Sequence, residues 1–253
     1  KYYMNTNKNY KILAITLARG GSKRVPRKNI KDLCGKPLLQ YTTDEVKKSK
    51  YINKYIISTD DDEIIYFCKK ENIDYHKRPS IYAQDTSTSA SAIQNVLDDY
   101  TDYDIIVEIM CTNPLKKVNH IDECIEKLIN GDYDSVVSVV RIWDNHPSRV
   151  KFIKDDLLHD FYPEIPESRR QDLTPEAYAR NGSIYAFWKE SFEKYKNRLG
   201  EKCSPYIMPE ENTINIDEPI DFELAKLTIQ KQNKSISNID YESKMDGGCS
   251  NEW

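Results

Sequence analysis

Leu13-Ala14-Ile15-Thr16-Leu17-Ala18-Arg19-Gly20-Gly21-Ser22-Lys23-Arg24-Val25-Pro26-Arg27-Lys28-Asn29 is an apolar run that ends in a basic, glycine-bearing loop. Residues 13–18 have the length and branching of a buried strand, and two consecutive glycines stop it. Lacking a Cβ, Gly20 and Gly21 are expected to take φ > 0 and bring backbone N–H groups close to an anion. Arg19, Lys23, Arg24, Arg27 and Lys28 put five cations within ten residues. Their mutual repulsion must be offset by solvent or by a strongly anionic ligand, and a triphosphate suits. The plainer alternative is a strand-to-loop turn with a solvated basic face. Spacing excludes two other phosphate loops, since neither G-x-x-x-x-G-K-[ST] nor G-x-G-x-x-G occurs here.

Working outward, strand-like runs near 12–18, 54–58, 73–76, 104–110, 134–140, 181–187 and 205–208 alternate with amphipathic stretches. Helices are expected near 37–48, 61–71, 88–100, 119–130, 189–197 and 219–231. This pattern predicts an α/β fold, Rossmann-like, with a mostly parallel sheet and helices on both faces. The α/β domain takes residues 11–140 and 181–232. Between them, 141–180 is polar and carries Pro147, Pro163, Pro166 and Pro175, so it reads as a functional loop or small inserted lobe. From 233 to 253 the chain is polar with Gly247-Gly248, and a disordered tail is expected.

The chain has 253 residues, enough to bury a sizeable core. A net charge of -4 argues against nucleic acid as partner despite the local basic loop. The apolar run after Lys11 is too short for a signal segment or a membrane span, so a cytoplasmic protein is expected. Met4 is a candidate start residue. Cys34, Cys68, Cys111, Cys124, Cys203 and Cys249 show no C-x-x-C spacing and read as free thiols.

Residue order is more specific than charge. A-R-G-G-S-K-x-x-P-x-K-N, followed by Gly35-Lys36-Pro37-Leu38, resembles the opening motif of the CMP-acylneuraminate synthetases, cytidylyltransferases that activate sialic acids and related nine-carbon sugars. The resemblance continues in family order. It includes Arg78-Pro79 with Ala83-Gln84-Asp85-Thr86-Ser87-Thr88-Ser89, then Thr112-Asn113-Pro114-Leu115, Arg170-Gln171 with Pro175, Asn181-Gly182-Ser183-Ile184-Tyr185, and Ile216-Asp217 with Asp221. Together these span roughly residues 11–230. The resemblance implies a nucleotide-diphospho-sugar transferase fold, with 141–180 as a dimerisation lobe that helps wall the sugar site, and a homodimer.

It also implies the reaction: the anomeric hydroxyl of an acidic nine-carbon sugar attacks the α-phosphate of CTP and releases diphosphate. Such chemistry depends on alignment and charge neutralisation. Arg19 and Lys23 are implied on the triphosphate, Lys28 on phosphate, and Asn29 on ribose or phosphate. Arg24 and Arg27 are left as solvated surface. Arg78, Ser87 and Ser89 are implied to frame the cytosine, although 87–89 also suits a helix N-cap. The implied sugar-binding residues are Met110, Arg170, Gln171, Asn181 and Tyr185, with Arg170 the bidentate partner of the carboxylate. Asp217 is implied to hold Mg²⁺, joined by Asn215; Asp217 also suits a helix N-cap. The catalytic set is thus Arg19, Lys23 and Asp217.

Two departures from the family pattern carry expectations. Asn215 stands where the resemblance implies a second aspartate, removing a charge from the metal site. Met110 stands where it implies a hydrogen-bonding glutamine, which favours a sugar lacking a hydroxyl there, such as legionaminic or pseudaminic acid. The alternatives are a synthetase for the eight-carbon sugar Kdo, whose opening loop tends toward R-x-x-S-x-R-L-P, and a degenerate protein that binds CTP or sugar without turnover.

Overall fold

The computed structural model describes residues 9–163 and 169–246, with side chains up to residue 233. Met4, Pro166 and Cys249 lie outside the described residues. The chain runs β1 (Ile12–Leu17), β2 (Asp32–Leu33), β3 (Lys36–Pro37), α1 (Leu38–Val46), β4 (Lys54–Thr59), α2 (Asp62–Lys70) and β5 (Asp74–Lys77). It continues with α3 (Ser89–Asp99), β6 (Ile105–Ile109), α4 (Val118–Asn130), β7 (Ser135–Ile142), β8 (Lys151–Lys154) and β9 (Leu157–Asp160). Last come β10 (Ala177–Trp188), α5 (Lys189–Tyr195), β11 (Cys203–Ile207) and α6 (Pro219–Asp246).

Seven strands form one sheet in the order β11-β7-β10-β6-β1-β4-β5. Neighbours run parallel except β10, which is antiparallel to both β6 and β7. Strand β1 alternates between two buried faces, as a doubly covered strand must. Ile12 and Ala14 pack with Val46 of α1 and Ile121, Ile125 and Leu128 of α4. Leu13 and Ile15 pack with Ile93 and Val96 of α3 and Phe192 of α5. Each such buried aliphatic side chain contributes roughly 1.5–3 kcal/mol.

The site-positioning feature is topological. From β1 the chain winds outward through β4 to β5, then α3 carries it back across to β6 on the other side of β1. The loops leaving β1 and β6 therefore diverge at their carboxyl ends and leave a crevice between them.

Several expectations change. Gly20 and Gly21 do not take positive φ; among the described glycines Gly35, Gly182 and Gly200 do. Gly20 is required by proximity instead, since a Cβ there would meet Asp61 Oδ2 at 2.4 Å, while nothing lies within 4 Å of one at Gly21. Two short hairpins were not anticipated, β2–β3 and β8–β9. Each turns on two residues of positive φ, Cys34 and Gly35 in the first and Asp155 and Asp156 in the second, which matches the twist of tight hairpins. Helix α6 runs on to Asp246 where a disordered tail from 233 is expected; no Pro or Gly occurs between 220 and 246 to stop it. Residues 247–253 of that tail lie outside the described residues.

Candidate active site

The crevice opens as two joined compartments of about 550 and 290 Å³. Arg19, Lys23, Lys28, Asn29, Met110, Thr112 and Asp217 are among the residues lining the larger one. Arg78, Ser87, Ser89, Glu108 and Met110 are among those lining the smaller one. Leu17, Arg19, Asp85 and Met110 belong to both and mark the junction.

The basic loop is held from several sides. Its first turn is anchored by Gly20 N–H donating to Asp60 Oδ1 at 3.1 Å and Ala18 N–H to Ser58 O at 3.0 Å. Asn29 is buried and uses both ends of its amide, donating from Nδ2 to Arg19 O at 2.9 Å and accepting from Cys111 Sγ at 3.2 Å. It ties the β1 loop to the β6 loop, so its place in the crevice is that of a brace more than of a hand for ribose. Asp61 caps α2 by accepting from the Glu63 and Ile64 N–H groups, each at 3.0 Å.

Every cation of the loop faces a carboxylate. Arg19 NH1 lies 2.9 Å from Asp85 Oδ1, and Lys23 Nζ contacts the other oxygen of the same side chain. Arg24 pairs with Glu218 at 2.8 Å; Arg27 pairs with Asp61 and Glu63. These last two were expected as free surface. Instead Arg27, itself at φ 57, links the loop to the first turn of α2, and both carboxylates raise its pKa.

Lys28 Nζ donates to Ile216 O at 2.6 Å and lies 3.4 Å from Asp217 Oδ1. The acidic segment is also strung to the β6 loop through Ile216 N–H to Thr112 O at 2.8 Å. Asp221, in the first turn of α6, reaches back so that its Oδ2 accepts from the Asp217 and Glu218 N–H groups at 2.9 and 2.7 Å, and the Asp217 carboxylate is left lining the crevice.

Asn215 turns its Nδ2 toward Asp217 Oδ2 at 2.6 Å, and its buried Oδ1 has no partner. It therefore orients the carboxylate and does not stand beside it as a second oxygen ligand. Among the described residues no group of three or more His, Cys, Asp or Glu is placed to hold a metal. The donors fit Mg²⁺ as a one-carboxylate site whose shell is completed by phosphates and water.

In the smaller compartment Arg78 is buried, donating to Ser58 O at 2.6 Å and Tyr82 O at 3.3 Å, with Nε unpartnered. Desolvation lowers its pKa. Ser87 Oγ donates to Ile81 O at 2.8 Å, and the helix cap is Thr88, whose Oγ1 accepts from Ser91 N–H at 3.0 Å. Ser89 is therefore free of capping duty on the wall of the compartment.

Glu108, assigned no role by the sequence, stands in this wall. It is buried, ion-paired with Arg198, and burial raises its pKa. The available signal was one acid inside the apolar strand Ile105-Ile106-Val107-Glu108-Ile109. Asp85, on the walls of both compartments, likewise has no role implied by the sequence.

Four residues implied for the sugar lie elsewhere. Asn181 is buried, accepting from Ser138 Oγ at 2.6 Å and donating toward Met208 Sδ at 3.1 Å. Tyr185 is buried in the sheet core with the Arg198 guanidinium 4.2 Å from its ring centre. Both lie in the covered part of β10, which is buried at Asn181 and from Ser183 to Phe187, whereas Tyr178 and Arg180 nearer its start are exposed. Arg170 and Gln171 sit on an exposed turn outside the crevice, with Arg170 3.5 Å from Asp144 and 5.1 Å from the Trp143 ring.

Fold and crevice together define an α/β protein whose basic loop faces an acidic segment across the carboxyl ends of β1 and β6. The sequence profile described as Cytidylyltransferase matches residues 13–238, and the chain belongs to that family. It is 32% identical to the N-acylneuraminate cytidylyltransferase of Escherichia coli O18:K1:H7, over 88% of this chain and 53% of that protein. It is 28% identical to the pseudaminic acid cytidylyltransferase of Campylobacter jejuni, over 89% of this chain and 99% of that one. The chain thus spans about half the length of the N-acylneuraminate relative and nearly all of the pseudaminic acid one. A solved CMP:2-keto-3-deoxy-manno-octonic acid synthetase complexed with CTP shares the fold, with a TM-score of 0.66 and 16% identity over 88% of this chain and 99% of that one. No described helix is long and apolar enough to cross a membrane.

Proposed function

We propose that the chain transfers CMP from CTP to an acidic nine-carbon sugar. The observation that carries this reading is the pair of joined compartments, one cationic and facing Asp217, the other framed by Arg78, Ser87 and Ser89. A triphosphate suits the first and a pyrimidine the second. The sugar's anomeric oxygen forms a bond to the α-phosphorus while the bond to the β-phosphate oxygen breaks. Diphosphate leaves with the electron pair, and the hydroxyl proton is lost to solvent. Arg19 and Lys23 align the phosphates and neutralise the charge that grows on the leaving group. Asp217 would hold a Mg²⁺ ion at this place, which would supply further charge neutralisation. Five free cysteines among the described residues suit a reducing compartment, and the reading includes a cytoplasmic setting.

Met110 stands at the junction of the compartments, where the sugar must approach the α-phosphate. Its thioether supports a preference for a deoxygenated sugar of the legionaminic or pseudaminic type. The reading further includes a homodimer built through 141–180, whose β8–β9 hairpin exposes Ile153, Leu157 and Leu158.

The test is diphosphate release with Mg²⁺, each of the four nucleoside triphosphates, and N-acetylneuraminic, legionaminic or pseudaminic acid. Release is expected with CTP, with kcat/KM highest for a deoxygenated sugar. A clear preference for N-acetylneuraminate overturns the sugar assignment. Measurable CTP binding without release from any sugar overturns the transferase in favour of a binding protein.

A further inference from the structure

The two cations most suited to a polyphosphate share one carboxylate. Asp85 Oδ1 lies 2.9 Å from Arg19 NH1, and Oδ2 contacts Lys23 Nζ. Two oxygens on one centre, each on a different cation, is the arrangement a phosphoryl group would present. Asp85 also lines both compartments, together with Arg19. A nucleotide with its base in the smaller compartment and its outer phosphates in the larger must pass its phosphate chain through that junction.

We infer that Asp85 is a resident counter-anion: it occupies the polyphosphate's place on Arg19 and Lys23, leaves when the polyphosphate binds, and returns to help expel diphosphate. The inference rests on the nucleotide reading above. Asp85 sets polyphosphate affinity by competing for Arg19 and Lys23 and by adding a negative charge beside the bound phosphates. Its side chain is 46% exposed and that of Lys23 is 80% exposed, so the pairing is screened and readily exchanged. The Lys23 ammonium, hydrogen-bonded to it, lowers the Asp85 pKa, so the carboxylate is charged near neutral pH. The other loop cations pair with separate acids, Arg24 with Glu218, Arg27 with Asp61 and Glu63, and Lys28 with Asp217. Among the described residues Asp85 alone bridges two of them at the junction.

Calorimetric titration with inorganic diphosphate and with CTP, in the absence of sugar, tests this on wild type, Asp85→Asn and Asp85→Ser. Both substitutions are expected to tighten diphosphate binding by roughly threefold to tenfold, the scale set by two exposed ion pairs. In turnover, diphosphate becomes a correspondingly stronger product inhibitor. A lost structural contact would weaken binding, so a gain in affinity separates the two roles. Unchanged or weaker binding in both variants, with melting temperatures equal to wild type, overturns the inference while leaving the nucleotide reading in place. A wild-type chain that binds neither diphosphate nor CTP overturns the nucleotide reading itself.

Discussion

Lys116 has no exposed surface, yet it sits directly behind the crevice. Its Nζ donates to Thr42 Oγ1 at 2.8 Å and Asn113 O at 2.5 Å, fixing the turn that presents Thr112. Desolvation lowers its pKa to about 7, although the facing Cys111 and Glu45 pull the other way. The unfolded chain keeps the lysine proton to about pH 10.4, so between those values unfolding takes up a proton and rising pH favours the folded state. From pH 7 to 8, wild type is therefore expected to gain stability relative to Lys116→Met by up to about 1.4 kcal/mol per pH unit. Urea titrations across that interval measure it, and parallel curves for the two proteins contradict it. Nothing local marks this lysine, because a Lys-Lys pair after Pro114-Leu115 reads as surface until the fold closes over its first member. Asp217 and Lys28, by contrast, were singled out by motif order, and they lie 3.4 Å apart across 189 residues of chain.

At the scale of elements, the basic loop and the first turn of α2 form one unit. Gly20 lies so near Asp61 that a Cβ would sit 2.9 Å from the Asp61 Cβ, and Asp61 at once caps α2 and pairs with Arg27. Gly20→Ala must push that carboxylate away, costing about 1–2 kcal/mol of stability through the lost cap and misplacing Arg19 next to it. Gly21→Ala has open space and is expected to stay within about 0.5 kcal/mol of wild type. Denaturation together with diphosphate titration should separate the two glycines, and equal effects would show that the close approach to Asp61 is not what selects glycine at position 20. Adjacent glycines look alike in sequence; the distinction comes from a helix cap forty residues away. Strand and helix positions were largely legible because the middles of β1, β4 and β6 are short apolar runs, Ile12 to Ile15, Tyr55 to Ile57 and Ile105 to Val107. The tight hairpins were not, since strands of two residues in β2–β3 and four in β8–β9 are too short to show a readable period.

The whole molecule poses the question of where Arg170 acts. Motif order implies the sugar site, but on its own chain Arg170 lies outside the crevice, on the same excursion between β7 and β10 as the exposed β8–β9 hairpin. In the proposed homodimer, one chain's crevice and the other chain's excursion would reconcile the two if the pairing is isologous, since a two-fold axis would deliver each excursion to the opposite crevice. Asn181 and Tyr185 offer no such route, being packed inside β10, so their match to the motif reflects the strand that carries them. The arrangement predicts complementation. Lys23→Ala disables a crevice from within and Arg170→Ala disables it from across the interface, so each variant alone is expected to lose most activity. Mixed by denaturation and refolding, half the dimers are hybrids, and in each hybrid one crevice keeps both its own Lys23 and the partner's Arg170. Activity should return to about a quarter of wild type. If Arg170 served its own crevice every hybrid site would lack one group, the mixture would stay inactive, and the placement across the interface would be excluded.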